Sequence, residues 1–330
     1  MFNRNTLALM AVACSAALLP CASAVAENWN AYTYINTPVM TAGSMMQKIT
    51  QQVTEQTDGD LTVRMHFGGS LPIQATNITQ SVSRGGTIQL ADDGFPYGNV
   101  PIAGILNLPL LLTSEADFDK AVDVMRPALE KAFAARGIQI LAIYHYPQQV
   151  AWSSKKLTSL ADMAGSKMRV SSPQQAAFVR AFGGTPVTIG TPEVAPALQR
   201  GVVDGVFTAS SGGARTWKDL LNYSYRLGPN YFASFVLVNK KAFDALDPKL
   251  QKTLESVVQK NADWGTTQMR KEEQTLTDEM QSEGMTVTAA SAEDTQQGVE
   301  KMSSYWEEWA SDQGAPTQAL LKKVRAAIDK

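Results

Sequence analysis

The stretch from Gly165 to Gly205 constrains this chain more than any other. It reads Gly165-Ser-Lys-Met-Arg169-Val, a run suited to a helix, Phe182-Gly-Gly-Thr-Pro186-Val, Pro192-Glu193-Val, and finally Ala197-Leu-Gln199-Arg-Gly-Val-Val-Asp204-Gly205. Short apolar segments bounded by glycine and proline predict strand, helix, strand, helix, strand. That alternation commits the chain to an α/β fold with right-handed crossovers between parallel strands. Arg169 closes the first of these strands, and none of the six residues on either side of it is acidic. An arginine at the carboxyl end of a strand in an open α/β sheet faces the crevice where ligands bind. Its planar fork suits a carboxylate better than a lysine would. A structural ion pair is the alternative for such a residue.

A second set of the same kind precedes it. Strands are predicted at 31–35, 61–67 and 87–91, with helices between them, which gives β-α-β-α-β again. The third strand runs into Asp92-Asp93-Gly94-Phe95, a second candidate crevice element whose alternative is a solvated turn. Ser114 caps a helix to about Arg136, and an apolar strand over 138–146 leads through Pro147-Gln-Gln149 into the second set. The strand at 234–239 returns to the first set. From Asp247-Pro248 to about Met280 the composition is helical, without internal proline, and such a helix spans roughly 50 Å. The last helices are expected over 291–310 and 316–329. The expected fold is thus two α/β domains, each a mixed sheet flanked by helices, with one long helix bridging both. Domain I takes 27–146 plus 235–274, and domain II takes 147–234 plus 275–330.

The composite from Gly165 to Gly205 resembles the solute-binding proteins of tripartite ATP-independent periplasmic (TRAP) transporters. In them a Gly-x-Lys-x-Arg-Val strand is followed by a Glu-Val-x-x-Ala-Leu-Gln helix and an Asp-Gly turn. The resemblance implies a receptor that closes on a small organic acid and delivers it to integral membrane subunits. It implies that Arg169 grips the solute's carboxylate. Carried over position by position, the ligand shell falls on Asn36, Asp92, Phe95, Gln149, Arg169, Ser172, Thr191 and Thr208. Glu193, Gln199 and Asp204 are read as holding the loops, and Gly205 as serving backbone geometry. The chain departs from sugar-acid members of the family at three places. Gln149 and Phe95 stand where those members often carry further arginines, and Thr208 stands for a common asparagine. One fixed cation among aromatics implies a compact solute with a single carboxylate. A zwitterion whose ammonium meets Asp92 or Asp93 is the alternative, as is a receptor for another uptake or sensory system.

Other classes find less to build on. The chain has 330 residues, a net charge of −2 and 44% hydrophobic residues, so no basic excess points to nucleic acid. Arg4 followed by the uncharged run Leu7–Leu19 and small residues at 22–26 reads as a cleaved secretory signal over 1–26, which directs the protein to the periplasm. Both cysteines, Cys14 and Cys21, lie within it, so the mature chain has no disulfide. With two histidines, His66 and His145, a histidine-centred metal site or triad has little to work with, and no phosphate loop or nucleophile elbow occurs. No cofactor and no metal are expected, and a monomer is. An enzyme using Asp92, Asp93 and His145 is the rival from a different class.

Overall fold

The computed structural model describes residues 26–330. The expected leader lies outside the described residues except for Ala26, and with it lie Cys14 and Cys21. In chain order the regular elements are β1 (Glu27–Thr33), α1 (Thr41–Gln56), β2 (Leu61–His66), α2 (Ile78–Arg84), β3 (Leu90–Asp93), α3 (Glu115–Ala134) and β4 (Ile138–Ser153). There follow β5 (Lys167–Val170), α4 (Pro173–Ala181), β6 (Thr185–Thr188), α5 (Thr191–Gln199), β7 (Gly205–Thr208), and α6 (Arg215–Trp217). The chain ends with β8 (Tyr223–Asn239), α7 (Lys240–Asp244), α8 (Pro248–Ser282), β9 (Thr286–Thr288), α9 (Ala292–Asp312) and α10 (Ala315–Ala327). Ser114 caps α3 as its sequence predicts: its side chain accepts from Asp117 N–H, and Asp117 reciprocates.

The two expected sheets are one. The strands run in the order β2-β1-β3-β8-β4-β7-β5-β6, with β9 paired to β8. The joint is made by β4 and β8, of 16 and 17 residues, which pair antiparallel along their whole length. Sequence reading ended the first of these at Tyr146 and began the second at Ser234. The structure carries both strands through, with register shifts between Tyr146 and Gln149 and between Gln149 and Ala151. Such irregularities bend a strand locally. They divide the sheet into a first half, where β1 pairs in parallel with β2 and β3, and a second half, where β5 pairs in parallel with β6 and β7.

Three apolar cores follow this division. The first packs Met45, Ile49, Phe133, Phe235 and Leu254 around the first half. The second holds Met168, Phe178, Phe207 and Tyr225, and the third Trp152, Val194, Trp217 and Met280. The predicted long helix is α8, 35 residues and thus about 52 Å. Its Val257, Val258 and Met269 enter the first core while Leu276 and Met280 enter the third, so it bridges the halves as expected. The C-terminal helices depart from their expected place in the second unit. Trp306, Trp309, Leu321 and Val324 bury in the first core, and Met302 alone of α9 is buried in the second. Trp306 Nε1 donates to the Pro109 carbonyl at 2.8 Å, which ties α9 to the loop before α3. Among the described residues no helix is long and apolar enough to cross a membrane.

Candidate functional site

A small cavity lies where the two halves meet. The second half contributes its polar wall. Arg169 sits in β5 and Ser171 just beyond it, Thr191 opens α5, Thr208 ends β7, and Gly212 and Gly213 belong to the single π-turn that follows. Gln149 enters at the register break of β4, and Trp217 closes that side. The first half contributes an apolar wall of Tyr34, Ile35, Met40, Phe95, Tyr146 and Phe232. The side chains form an aromatic cluster: Tyr34 stands edge-on to Phe95 at 5.3 Å, and Phe232 packs against both Phe95 and Tyr146. Gly94 makes this possible, because a Cβ there would fall 2.7 Å from the Phe232 ring and 3.0 Å from Tyr34. The lining side chains are buried, Arg169 to 4% exposure.

Arg169 is the electrostatic centre. Its Nε–H donates to the Ile189 carbonyl at 3.0 Å, which orients the plane of the guanidinium. Among the described residues no carboxylate lies within 4.0 Å of it, and its two terminal nitrogens have no hydrogen-bond partner. Burial pushes its pKa down to about 10, partly offset by the Tyr34 phenol. It stays charged at neutral pH, so this is a buried cation without a counter-ion. Such a charge is costly unless something pairs with it. The N-terminus of α5, at Thr191, adds partial positive charge to the same wall.

Other predicted residues divide cleanly. Arg169, Gln149, Phe95, Thr191 and Thr208 meet at the cavity. Ser172 does not line it: alternate side chains leave a strand on opposite faces, so Arg169 and Ser171 share the cavity side. Ser172 instead caps α4, accepting from Gln175 N–H at 3.1 Å. Asn36 is exposed and does not line the cavity, and Tyr34 and Ile35 take the place expected of it. Asp92 stands behind the wall. Strand β3 runs two residues past its predicted end, so both acids are inside the sheet and fully buried. Asp92 accepts from Thr33 Oγ1, Tyr144 and Ser234 Oγ. Asp93 accepts from Thr79 Oγ1 and from Phe95 N–H at 2.8 Å. Desolvation raises their pKa values to about 6 and about 7. The residues that sequence reading missed are Tyr34, Ile35, Met40, Tyr146, Ser171, Gly212, Gly213, Trp217 and Phe232. Strand alternation from Arg169 finds Ser171; nothing local marks the others.

The loops of the polar wall are held from outside the cavity. Glu193 Oε2 accepts from Gly190 N–H at the start of α5. Asp204 accepts from Lys167 N–H and pairs with Lys155 Nζ at 2.7 Å. Gly205 must lack a side chain, since a Cβ would lie 2.2 Å from the Trp152 carbonyl. Glu273, on α8, accepts from the backbone and hydroxyl of both Ser210 and Ser211 and pairs with Arg226 at 2.9 Å. Glu273→Ala is expected to cost about 2 to 3 kcal/mol of stability, because it strands a half-buried arginine and two amides. Solute affinity should fall too, since Gly212 and Gly213 lose their anchor. Denaturant unfolding of the two proteins checks it, and equal midpoints would remove the clamp.

The catalytic grouping of Asp92, Asp93 and His145 does not assemble at the cavity. His145 packs against Phe118 and Tyr231, with Nδ1 3.1 Å from the Tyr146 carbonyl. Neither it nor the two aspartates line the cavity. Among the described residues no group of three His, Cys, Asp or Glu is placed to hold a metal.

A polar wall with one unpaired guanidinium, facing an apolar wall across two α/β halves, is the geometry of a binding cleft. The family model for bacterial extracellular solute-binding protein family 7, DctP, matches residues 33–313. This chain belongs to that family. The ectoine-binding periplasmic protein TeaA of Halomonas elongata is 25% identical over 294 residues, 82% of each chain. The 2,3-diketo-L-gulonate-binding protein YiaO of Escherichia coli is 25% identical over 253 residues, 73% of this chain and 75% of its own. Among solved structures, DctP6 of Bordetella pertussis, a receptor binding pyroglutamic acid, superposes with a TM-score of 0.84 at 25% identity, covering 91% of this chain and 99% of that one. As a family-7 member the chain is an extracytoplasmic solute receptor of the TRAP type. Receptors of this kind bind small organic acids and work with the membrane subunits of the transporter.

Proposed function

We propose that this receptor binds a compact monocarboxylate with an uncharged, largely apolar body. The observation that carries the proposal is Arg169: a buried guanidinium, oriented by Ile189, with its terminal nitrogens unpaired at the cavity wall. A carboxylate there accepts two parallel bonds and supplies the missing counter-charge. Gln149 holds its amide by donating to the Pro147 carbonyl at 3.0 Å, and its oxygen and second N–H serve a hydroxyl, keto or lactam group of the solute. Ser171, Thr191 and Thr208 complete the polar contacts. Asn36, Asp92 and Ser172 stay outside this set. Tyr34, Phe95, Phe232 and Trp217 take the apolar side.

The protein itself performs no chemistry on the solute. Its task is to close around it, and a ligand favours the closed state by its differential affinity for the two states. It acts as a monomer in the periplasm, after removal of the 1–26 leader, and delivers the solute to the membrane subunits. Its two moving units divide near Tyr146 and Ser234.

A zwitterion is the second reading, favoured by the ectoine-binding relative TeaA and by the aromatic cluster, whose ring faces suit a cation. Pyroglutamate, 2-acetolactate and ectoine at 1 mM separate the two in a thermal-shift assay, because bound ligand stabilises by RT ln(1 + [L]/Kd). The expected result is a rise in Tm with the first or second acid. A rise with ectoine alone would favour the zwitterion, and no rise with any monocarboxylate of up to six carbons would overturn the proposal.

A further inference from the structure

Beside the solute cavity lies a larger cleft of about 610 Å³, open to solvent, between residues 69–76 of the first half and 188–193 of the second. The two spaces share Tyr34 and Phe95 in their linings and no other residue. We infer that these two rings form a partition that sets the maximum length of the solute, and that the outer cleft is an apolar subsite shut off by it. The inference rests on the carboxylate being held by Arg169.

Arg169, Tyr34 and Phe95 line one cavity, and only the two rings also line the outer cleft. A solute anchored on Arg169 that outgrows the cavity toward that cleft therefore runs into the partition. The partition is stiff. Phe95 lies edge-on to Tyr34 at 5.3 Å and to Phe232 at 6.0 Å, and its N–H is held by Asp93 Oδ1. Both rings are buried, at 4% and 5% exposure, although the cleft beyond them is wet. The outer walls come from Leu71, Pro72, Ile73, Ile189 and Pro192, with the uncharged Gln74, Thr76 and Thr188 beside them. Their one charged neighbour, Glu193, is occupied with Gly190 N–H. An uncharged alkyl or aryl tail is the chemistry that fits, and each methylene buried there is worth about fourfold in affinity.

Calorimetric titration of the full-length mature protein with straight-chain 2-oxo acids of four to nine carbons tests this. In the parent, affinity should drop at least about tenfold between the short and the eight-carbon acids, as added methylenes find no space. In Phe95→Ala the eight-carbon acid should bind at least about tenfold better than it does to the parent, with Phe95→Leu between them in case the alanine variant does not fold. Adding Arg169→Ala to either variant should abolish binding of the whole series. A parent that takes long and short acids equally, or a folded Phe95 variant with no gain for long acids, overturns the partition. If Arg169→Ala leaves the series unaffected, the carboxylate reading fails instead, whatever the length profile. If no acid of the series binds parent or variant, the inference falls.

Discussion

Replacing Arg169 by alanine is expected to weaken solute binding by about 2 to 5 kcal/mol, or roughly 30- to several-thousand-fold in Kd. The magnitude follows from burial. The guanidinium faces the cavity with no protein carboxylate within 4.0 Å, so the solute's carboxylate is its only available counter-charge among the described residues. Truncation leaves that carboxylate desolvated and unpaired, which is the costly half of breaking a charge pair. Arg169→Lys should lose much of the same energy, because a single ammonium cannot reproduce two parallel bonds. The stability of the empty protein should move the other way. Burial holds the Arg169 pKa down at about 10, which means that the folded state carries this charge at a cost. Without ligand, Arg169→Ala should therefore unfold at the same temperature as the parent or above it. Calorimetric titration with the acid that the thermal-shift panel returns measures the first effect, and scanning calorimetry the second. A binding loss under threefold would remove Arg169 from the site. A Tm that falls as far as binding does would make the residue structural.

The second large effect is on stability against pH, and it comes from the two acids that the cavity does not use. Asp92 and Asp93 have folded pKa values of about 6 and about 7, raised by burial above the ordinary carboxylate value. A carboxyl group raised in this way binds its proton more tightly folded than unfolded. Its contribution is fully present below about pH 4 and is lost as pH climbs through the folded value. The empty receptor should thus lose on the order of a few kcal/mol between pH 4.5 and pH 7.5 from this pair. His66 and His145 are held below the usual imidazole range by burial, so they act in the opposite sense over part of the window. Comparison with a variant isolates the effect. Asp93→Asn keeps an oxygen for Phe95 N–H and gains an amide that can donate to Thr79 Oγ1, but it does not titrate. Its unfolding free energy should change less across that range than the parent's. Parallel slopes in urea unfolding at the two pH values would show that Asp93 is ionised throughout.

These two aspartates also mark where sequence reading runs short. Asp92-Asp93-Gly94-Phe95 was expected as a loop after the strand, with Asp92 in the ligand shell. Acidic residues are rare in buried strands, so extending β3 over them runs against propensity. The hydroxyls of Thr33, Tyr144 and Ser234 make the extension tolerable for Asp92, and they come from three different strands. No local pattern announces that convergence. Asn36 failed for a related reason: β1 ends at Thr33, two residues before its expected end, and the turn that follows puts Tyr34 and Ile35 inward instead.

What lies within one strand or one helix was determined by the sequence alone. The glycine and proline punctuation of Gly165–Gly205 fixed three strands and two helices, the capping box at Ser114 fixed the start of α3, and unbroken helical composition fixed α8. Arg169 stood out because no acid lies near it in sequence, and among the described residues no carboxylate lies within 4.0 Å of it in space. The tertiary structure decided what joins these pieces. It made β4 and β8 continuous through Pro147 and Pro229, fusing two expected sheets into one, because partners on both sides supply the hydrogen bonds that local propensity does not. It carried Trp306 to Val324 into the first core, where α10 packs against α3. It also built the wall opposite Arg169, since Tyr34, Phe95, Tyr146 and Phe232 are up to 198 positions apart in the chain and meet only when the sheet has formed. The anchor is a local fact and the shape of the solute a long-range one, because charge is read residue by residue while a cavity exists only between elements.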